Sequence, residues 1–584
     1  LVHGISNEPR ETFLKRTDAT TFVGFRKSSG WGGDRTVFFA LKLSAPASDP
    51  KVFGGEEGAP GEYRGRLRAF FAVPPEVVVR VAISATGIDG AVRNLEAEAP
   101  TDDFEAARAR TRSEWERTFA RTRFESSDPK LRRTFYSNLY LSSLAPTLFS
   151  DVDGAYLGHD RKVHRDPPHV QYSTFSLWDT YRAVHPLLTL TEPERVGDMA
   201  ASLVAMASER EIGTTPIWPF WGNETYVMIG VHSVAVIAEA YLKGHRNFDA
   251  ERAYGLMRRA MTNDRNGLGE YDRLGWVASR RGMEATSKTI EYAYDDWCLA
   301  RMSEAMGKRE DADFFYRRSA RYRNLWDGTT RLFRGRRADG SWRRPFDPLG
   351  LVGDEYTEST AWQYLFAVQH DVPGMIALQG GDRGFVRRMD GLFTMTDEIR
   401  SGIPDISGLI GQYAHGNEPC HHVASLYAYA GAPAKGAARV REVMRRFYSD
   451  APDGQIGNVD CGQMSAWYVW QAAGLYPVNP ASGIYVIGSP IGDRTTFSLP
   501  GGKRFAVVAR NAGAKNVYVR AAALDGKPYD RSWISHDRLR QGGVLTLDMG
   551  PTPTRWATSL ASRPPATMPA GFRYGPLPPP ADPR

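Results

Sequence analysis

Cysteine is scarce. Cys298, Cys420 and Cys461 are the only three in 584 residues, too few for a disulfide scaffold, although one pair could bridge. Long apolar runs are also missing. No stretch reaches the roughly 18 residues that would cross a bilayer, so no transmembrane segment is expected. A charged n-region followed by an apolar h-region is absent, and the first residue is Leu1 rather than Met. Any secretion signal is therefore expected to have been removed. Charge of one sign is not in excess: 74 Lys and Arg face 67 Asp and Glu, a net charge of +7. The basic residues are scattered in short clusters such as 334–337, a solvated surface rather than a nucleic-acid-binding face. A Walker-A loop, HExxH and paired CxxC are all missing, which removes the common nucleotide and zinc readings.

What is present is ordinary globular composition, with 42% hydrophobic and 24% charged residues, enough for two or three domains. Fourteen Trp and 26 Tyr supply flat rings that can stack on sugars, although any single one is more often core filler. The texture changes along the chain. Residues 1–100 read as strands and turns, part of a β-sandwich that is incomplete at its start; 77–84, VVVRVAIS, is the plainest strand. Residues 101–127 read as a helical linker. From 128 to 475 roughly twelve amphipathic helices follow, which suits six hairpins closed into an (α/α)6 barrel. No fixed-length repeat supports a solenoid, and no strand–helix alternation supports a TIM barrel or Rossmann sheet. Strands return over 476–560, and 561–584 is a Pro-rich tail expected to be poorly ordered.

Four loops at helix ends carry the chemistry. In FSLWDTYRAVH, Trp178 and Asp179 set an aromatic plate beside a carboxylate; Asp179 either holds sugar hydroxyls or caps a helix. In YTESTAWQY, Glu358 lies just before a helix that Thr357 or Ser359 would cap. Among Tyr356 and Trp362 its proton affinity would rise, suiting a general acid. In HGNEPCHH, Asn417 and Glu418 offer hard oxygen ligands of the kind Ca2+ takes. The adjacent His421 and His422 point about 100° apart on a helix and cannot form a zinc pair. One reads as packed and the other as a substrate contact or a support. In GNVDCGQMSA, Asn458 and Asp460 are two apart and can aim an amide and an acid at one water or ion, or form a plain turn.

Together these loops resemble glycoside hydrolase family 92. The resemblance extends through VGFRKSSGWGGDRTVFF, GNETYVMIGVHSVAVIAEAYLKG, SKTIEYAYDDWCLA, QHDVPGMIALQGG and SAWYVWQAAGLYPVNPASGIYVIGSP, from about Phe22 to about Leu547. It implies an N-terminal β-sandwich, an (α/α)6 catalytic barrel and a site shared between them. It also implies secretion to the periplasm, cell envelope or outside, and exo-hydrolysis of terminal α-mannosides of glycans with inversion. A Ca2+ would contact O2 and O3 of the sugar. Carried onto this sequence, Glu358 is the general acid and Asp460 the general base. Inversion needs about 6.5–9.5 Å between the two carboxyls. Trp178 and Asp179 are contacts to the terminal mannose, with Trp31, Trp362, His421 and Asn458 as further substrate-binding candidates. Asn417 and Glu418 sit where the family binds the leaving sugar or the metal.

Two departures stand out. Asn458 replaces an acid that family members often carry two residues before the base, leaving Asp460 as the sole base. Asn417 replaces a His common in members acting on α-1,2 links, which leaves the linkage open. Against the mannosidase reading stand an inverting (α/α)6 glycosidase of other sugar preference and a glycan-binding protein that has lost catalysis.

Overall fold

Alternation of apolar residues builds the first sheet. In the computed structural model, which describes residues 8–350, 355–398 and 406–581, six strands pair antiparallel in the order β4-β5-β1-β2-β3-β6. They are β1 (Glu8–Arg16), β2 (Thr21–Ser29), β3 (Arg35–Leu43), β4 (Lys51–Glu57), β5 (Glu62–Phe70) and β6 (Val79–Ser84). Successive side chains of a strand face opposite sides. The register Phe13↔Phe25↔Phe38 therefore puts three rings on one face. On that same face α1 (Ile88–Glu98) lays Ala91 and Leu95 over Val23 and Ala40. Asp151 accepts hydrogen bonds from Ser84 and from Asn94, both at 2.8 Å, tying a later segment to the sheet. Contacts group residues 8–117, 146–175 and 201–227 into this unit. It is the expected N-terminal antiparallel-sheet domain: one six-stranded sheet with α1 against it, parts of two further helices at 104–117 and 201–209, short two-stranded hairpins and connecting loops.

The other unit comprises residues 118–145, 176–200 and 228–581. After α2 (Phe104–Phe119), which buries no residue, helices dominate: α3 (Pro129–Leu141), α4 (Leu177–Thr180), α5 (Val184–Thr191), α6 (Pro193–Glu209), α7 (Ser233–Leu242), α8 (Ala250–Met261), α9 (Leu268–Leu274), α10 (Ala285–Ala305), α11 (Arg309–Ser319), α12 (Ala361–Tyr364), α13 (Val372–Leu378), α14 (Gly381–Thr394), α15 (Pro433–Phe447) and α16 (Gln463–Ala472). Position follows pattern. α8 and α15 each bury one apolar stripe and turn their charged residues outward. α10 is buried on nearly every side, so its Glu291, Asp295 and Asp296 must find partners inside the protein. Among the described residues no helix is long and apolar enough to cross a membrane.

Strands return near the C-terminus as expected. Residues 494–498, 504–510, 518–524, 527–528 and 543–550 form a six-stranded sheet completed by 122–125. The expected helical linker thus ends in a strand: Thr495 pairs with Phe124, and the stacked rings of Phe124 and Phe135 lie 4.3 Å apart. Strands 504–510 and 543–550 run parallel, and the remaining neighbours antiparallel.

The Pro-rich tail departs from expectation. Through residue 581 it is fastened to the helical unit. Trp297 donates to the Thr567 carbonyl (3.2 Å), Trp342 to that of Pro579 (3.1 Å) and Thr329 to that of Ala581 (3.1 Å). Proline removes backbone donors but leaves carbonyls, and side-chain donors of the barrel take them up. The Tyr574 hydroxyl contacts both oxygens of Asp371 at 2.9 and 2.8 Å. Asp371 also caps α13 through the Gly374 N–H and accepts from Tyr322. Tyr574→Phe should therefore lower unfolding free energy by about 1–2 kcal/mol with unchanged far-UV circular dichroism. Denaturant melts of the two proteins measure it, and an unchanged midpoint would show that the tail is a passive strap.

Candidate active site

Four acidic side chains from separate loops meet in the helical unit. Asp179 lies inside α4 and does not cap it; Ser176 holds the N-cap position without a side-chain capping bond, and its hydroxyl donates to the Asp179 carboxylate. Asp179 is fully enclosed. Burial raises its proton affinity well above the usual carboxylate range, and the nearby Asp460 and Glu358 push it further. Glu418 opens a short 3-10 turn, with Asn417 at its cap and Pro419 fixing its start. Burial again raises its affinity, and Asp179 and Asp460 add to the effect. The electrostatics thus place Asp179, Glu358, Glu418 and Asp460 in one site. Like charges this close cannot all be ionised without compensation.

Glu358 and Asp460 share a backbone peculiarity. Both have φ of 44°, and Cys461 has 52°, the left-handed region that non-glycine residues enter at a cost. The surroundings hold them there. Asn417 Nδ2 donates to the Glu358 carbonyl at 2.7 Å and lies 3.4 Å from Glu358 Oε2. Directly after Glu358, Thr360 caps α12 in a reciprocal capping box with Gln363; neither Thr357 nor Ser359 takes that role. The loops carrying Glu418 and Asp460 touch through glycines. Gly457 has φ of 70°, and a Cβ there would lie 3.0 Å from Gly416 Cα.

The compensating charge is Arg182. It is fully enclosed and firmly protonated, and it is the cation that opposes the upward shifts of both Asp179 and Glu418. Its Nε donates to the Trp178 carbonyl at 3.0 Å, and its guanidinium lies over the rings of Trp178 (5.5 Å) and Tyr181 (4.7 Å). Beneath it runs a buried ladder. Arg182 Nη2 is 3.4 Å from Glu291 Oε1, which also accepts from Tyr364 at 3.0 Å. His232 reaches Glu291 Oε2 at 3.4 Å, an ion-pair distance rather than a formed hydrogen bond, and Asp295 at 2.8 Å. Burial opposes charge on His232, but Asp295 and Glu291 outweigh it and lift it to about 9. Burial likewise opposes charge on Glu291, but Arg182 and His232 hold it at about 2. None of the ladder residues was singled out from the sequence. The signal lay in α10, where Glu291 and Asp295 sit one turn apart on a helix buried on nearly every side.

The remaining candidates have definite places. Trp178 is buried, with its indole N–H lacking a hydrogen-bond partner. His421 has both ring nitrogens engaged, Nδ1 with Gln463 at 3.1 Å and Nε2 with the His415 carbonyl at 3.0 Å. Burial lowers its affinity to about 3, so it is a neutral support for the loop. His422 is held by the Phe366 carbonyl at 2.7 Å. Trp362 packs on α14 beneath Arg388, 4.5 Å from the ring. Trp31 belongs to the sheet unit, where it is 43% exposed and edge-on to Trp218 at 4.8 Å. Asn458 lies two residues before Asp460 in the same loop.

A metal has partial support in the donor set. Both carboxylate oxygens of Glu418 are buried with no hydrogen-bond partner, and the surplus of carboxylates favours a cation. The Asn417 side-chain carbonyl accepts the Glu418 N–H at 3.2 Å. Among the described residues no three His, Cys, Asp or Glu side chains converge as a closed metal cage. The oxygens present fit a hard ion that keeps much of its shell for water or ligand.

Removing the central cation tests this arrangement. Arg182→Met should destabilise the protein by about 3–5 kcal/mol, since it strips a buried ion pair of one partner. It should also raise the apparent pKa values of the carboxyl cluster, read by infrared carboxyl titration. A melting point and carboxyl spectrum like those of the wild type would show the ladder to be incidental.

Comparison with known proteins is consistent with this site. Residues 90–551 match the model of the glycosyl hydrolase family 92 catalytic domain. An α-mannosidase of that family from Bacteroides thetaiotaomicron is 36% identical, with 96% of this chain and 76% of that one superposing at a TM-score of 0.89. An inverting mannosidase of the same family from strain VPI-5482 of that organism is 32% identical over 95% of this chain and 79% of its own, at a TM-score of 0.86. An uncharacterized secreted glycosidase of Arthroderma benhamiae is 28% identical over 539 residues; the match spans 84% of this chain but only 63% of that protein.

Proposed function

Because the chain belongs to glycosyl hydrolase family 92, we propose that it removes terminal α-linked mannose from glycans, with inversion and with Ca2+. The observation that carries this reading is the group of four carboxylates by Arg182, Asp179 and Glu418 buried and Glu358 and Asp460 half-buried, the latter two both held on left-handed backbone. Family relatives that share the fold at 32–36% identity are named as mannosidases, one of them inverting. Secretion is part of the proposal, supported by the name of the Arthroderma relative.

Inverting hydrolysis needs one carboxylic acid to protonate the leaving oxygen and one carboxylate to draw a proton from water on the opposite face. Glu358 is the acid. Asn417 holds both its carbonyl (2.7 Å) and its side chain (3.4 Å to Oε2). Asp460 is the base. Its neighbour Asn458 can orient the water but cannot take its proton. Asp179 and the Trp178 indole N–H are the contacts for sugar hydroxyls. Glu418 and the Asn417 carbonyl oxygen would hold the Ca2+, which supplies polarisation and orientation of the sugar hydroxyls when bound.

Glu358→Gln and Asp460→Asn should each lower kcat by about 10²–10⁴ on a mannobiose. With a dinitrophenyl α-mannoside, whose leaving group needs no proton, Glu358→Gln should recover much of its rate while Asp460→Asn should not. Equal losses on both substrates would remove Glu358 as the acid. Proton NMR of the first turnover should show β-mannose as the initial product; initial α-mannose would end the inverting assignment.

Calcium linkage follows from the raised proton affinity of Glu418. A carboxyl that stays protonated above its usual range must release its proton when a cation takes its oxygens. Calorimetry in buffers of different ionisation heat should show proton release on Ca2+ binding, and affinity should rise with pH. A raised folded-state pKa makes cation-free stability fall as pH rises through it, so added Ca2+ should restore more of the melting temperature at pH 8 than at pH 5. Binding without proton release would move the ion away from Glu418.

A further inference from the structure

We propose that a second cavity in the helical unit binds a small sugar that carries an anionic group, recognised by Arg441. The cavity measures about 680 Å3 and is walled by α3, α15, residues 448–450, 491–493 and the turn at 512–518. That volume is in the range of small-molecule sites and exceeds what a bare oxyanion fills.

Arg441 is the reason to expect an anion. Its Nη2 donates to the carbonyls of Gly513 (2.5 Å) and Asn516 (3.4 Å), and these are its only hydrogen bonds among the described residues. It makes no ion pair among them. Burial lowers its pKa to about 10, the mark of a guanidinium that has lost water without gaining a carboxylate. Nε and Nη1 remain as donors, each able to give one charge-assisted hydrogen bond to an anion, because both paired edges of the guanidinium share the Nη2 already taken by the two carbonyls.

The acids on the same wall are committed elsewhere. Glu442 pairs with Arg439 (2.8 Å) and Arg446 (3.4 Å), and Asp450 with Arg133 (2.5 Å). Asp128 accepts the Lys130 N–H (2.8 Å) and Asp493 the Ser127 N–H (3.2 Å). The exposed side chains of Lys130 and Arg445 add positive charge at the rim.

The sugar part of the assignment rests on the aromatic wall. Tyr448 and Tyr468 lie 4.7 Å apart, and Tyr518 joins them. Such rings offer an apolar face to sugar C–H groups. The cavity is separate from the carboxylate site. The Tyr448 ring lines it, while the Tyr448 hydroxyl points away to His415 Nε2 (2.7 Å) and the Met464 carbonyl (2.9 Å).

Isothermal titration of the full chain with glucuronate, inorganic sulfate and glucose tests the proposal. Glucuronate should bind saturably at one per chain and glucose should not. Arg441→Gln should weaken glucuronate binding at least tenfold, and Asp179→Asn should leave it unchanged, since that residue belongs to the other site. If sulfate binds as tightly as glucuronate, the occupant is a free oxyanion and the sugar assignment falls. If glucuronate is clearly tighter, the acidic sugar stands. No saturable anion binding, equal binding of glucose, or unchanged binding in Arg441→Gln would overturn the site. Should Arg441→Gln fail to fold, the double variant Lys130→Gln with Arg445→Gln should weaken glucuronate binding and flatten its salt dependence; retention of wild-type affinity and salt dependence in that protein would equally overturn it.

Discussion

A single buried cation makes the rest of the site possible. Asp179 and Glu418 are enclosed, and each feels Asp460 as a like charge. Without Arg182 these groups would take up protons or open to water, because an unpaired buried charge costs more than the fold can spare. Arg182 in turn has to be positioned, and that is the work of Glu291, Tyr364, His232 and Asp295. The ladder explains why α10 carries acids on a helix surrounded by core. It also explains how a cluster of carboxylates can persist inside the helical unit.

Rigidity around the carboxylates comes from several small devices acting together. Left-handed backbone at Glu358, Asp460 and Cys461 persists only where its surroundings over-determine it. Here those surroundings are the Asn417 bond to the Glu358 carbonyl, the capping box of α12 and the close approach of Gly457 to Gly416. A neutral His421, clamped between Gln463 and the His415 carbonyl, supports the loop from below. Strain concentrated at the two proposed proton-transfer residues, with relaxed supports beside them, is the arrangement expected of a site pre-set for one geometry.

The two departures from the family pattern acquire a structural meaning. Asn417 does more than stand where a histidine is common: its amide ties the proposed acid loop to the proposed metal loop. Any replacement there would change the orientation of Glu358 as well as contacts to the neighbouring sugar. Asn458 leaves the proposed base without a second acid in its own loop, so the site's charge is lower by one than a pattern with two acids would give.

Much of the architecture was legible in the residues themselves. Strand alternation in Val77 to Ser84, the apolar stripes of α8 and α15, and the ordered set of acid-bearing loops identify the fold class, the family and the candidate carboxylates, because periodicity and local motif are properties of neighbouring residues. What the sequence could not show is which distant groups share one low-dielectric space. Arg182 looks like a surface charge until α10 brings Glu291 beneath it. Thr360 rather than Thr357 or Ser359 caps α12 because only there does Gln363 reciprocate. His421 reads as a sugar contact until Gln463 and His415 claim its nitrogens, and the Pro-rich tail reads as loose until Asp371, Thr329 and Trp342 grip it. Each of these is settled by long-range contacts and by burial, which set the strength of every charge and hydrogen bond, and burial exists only once the chain has folded.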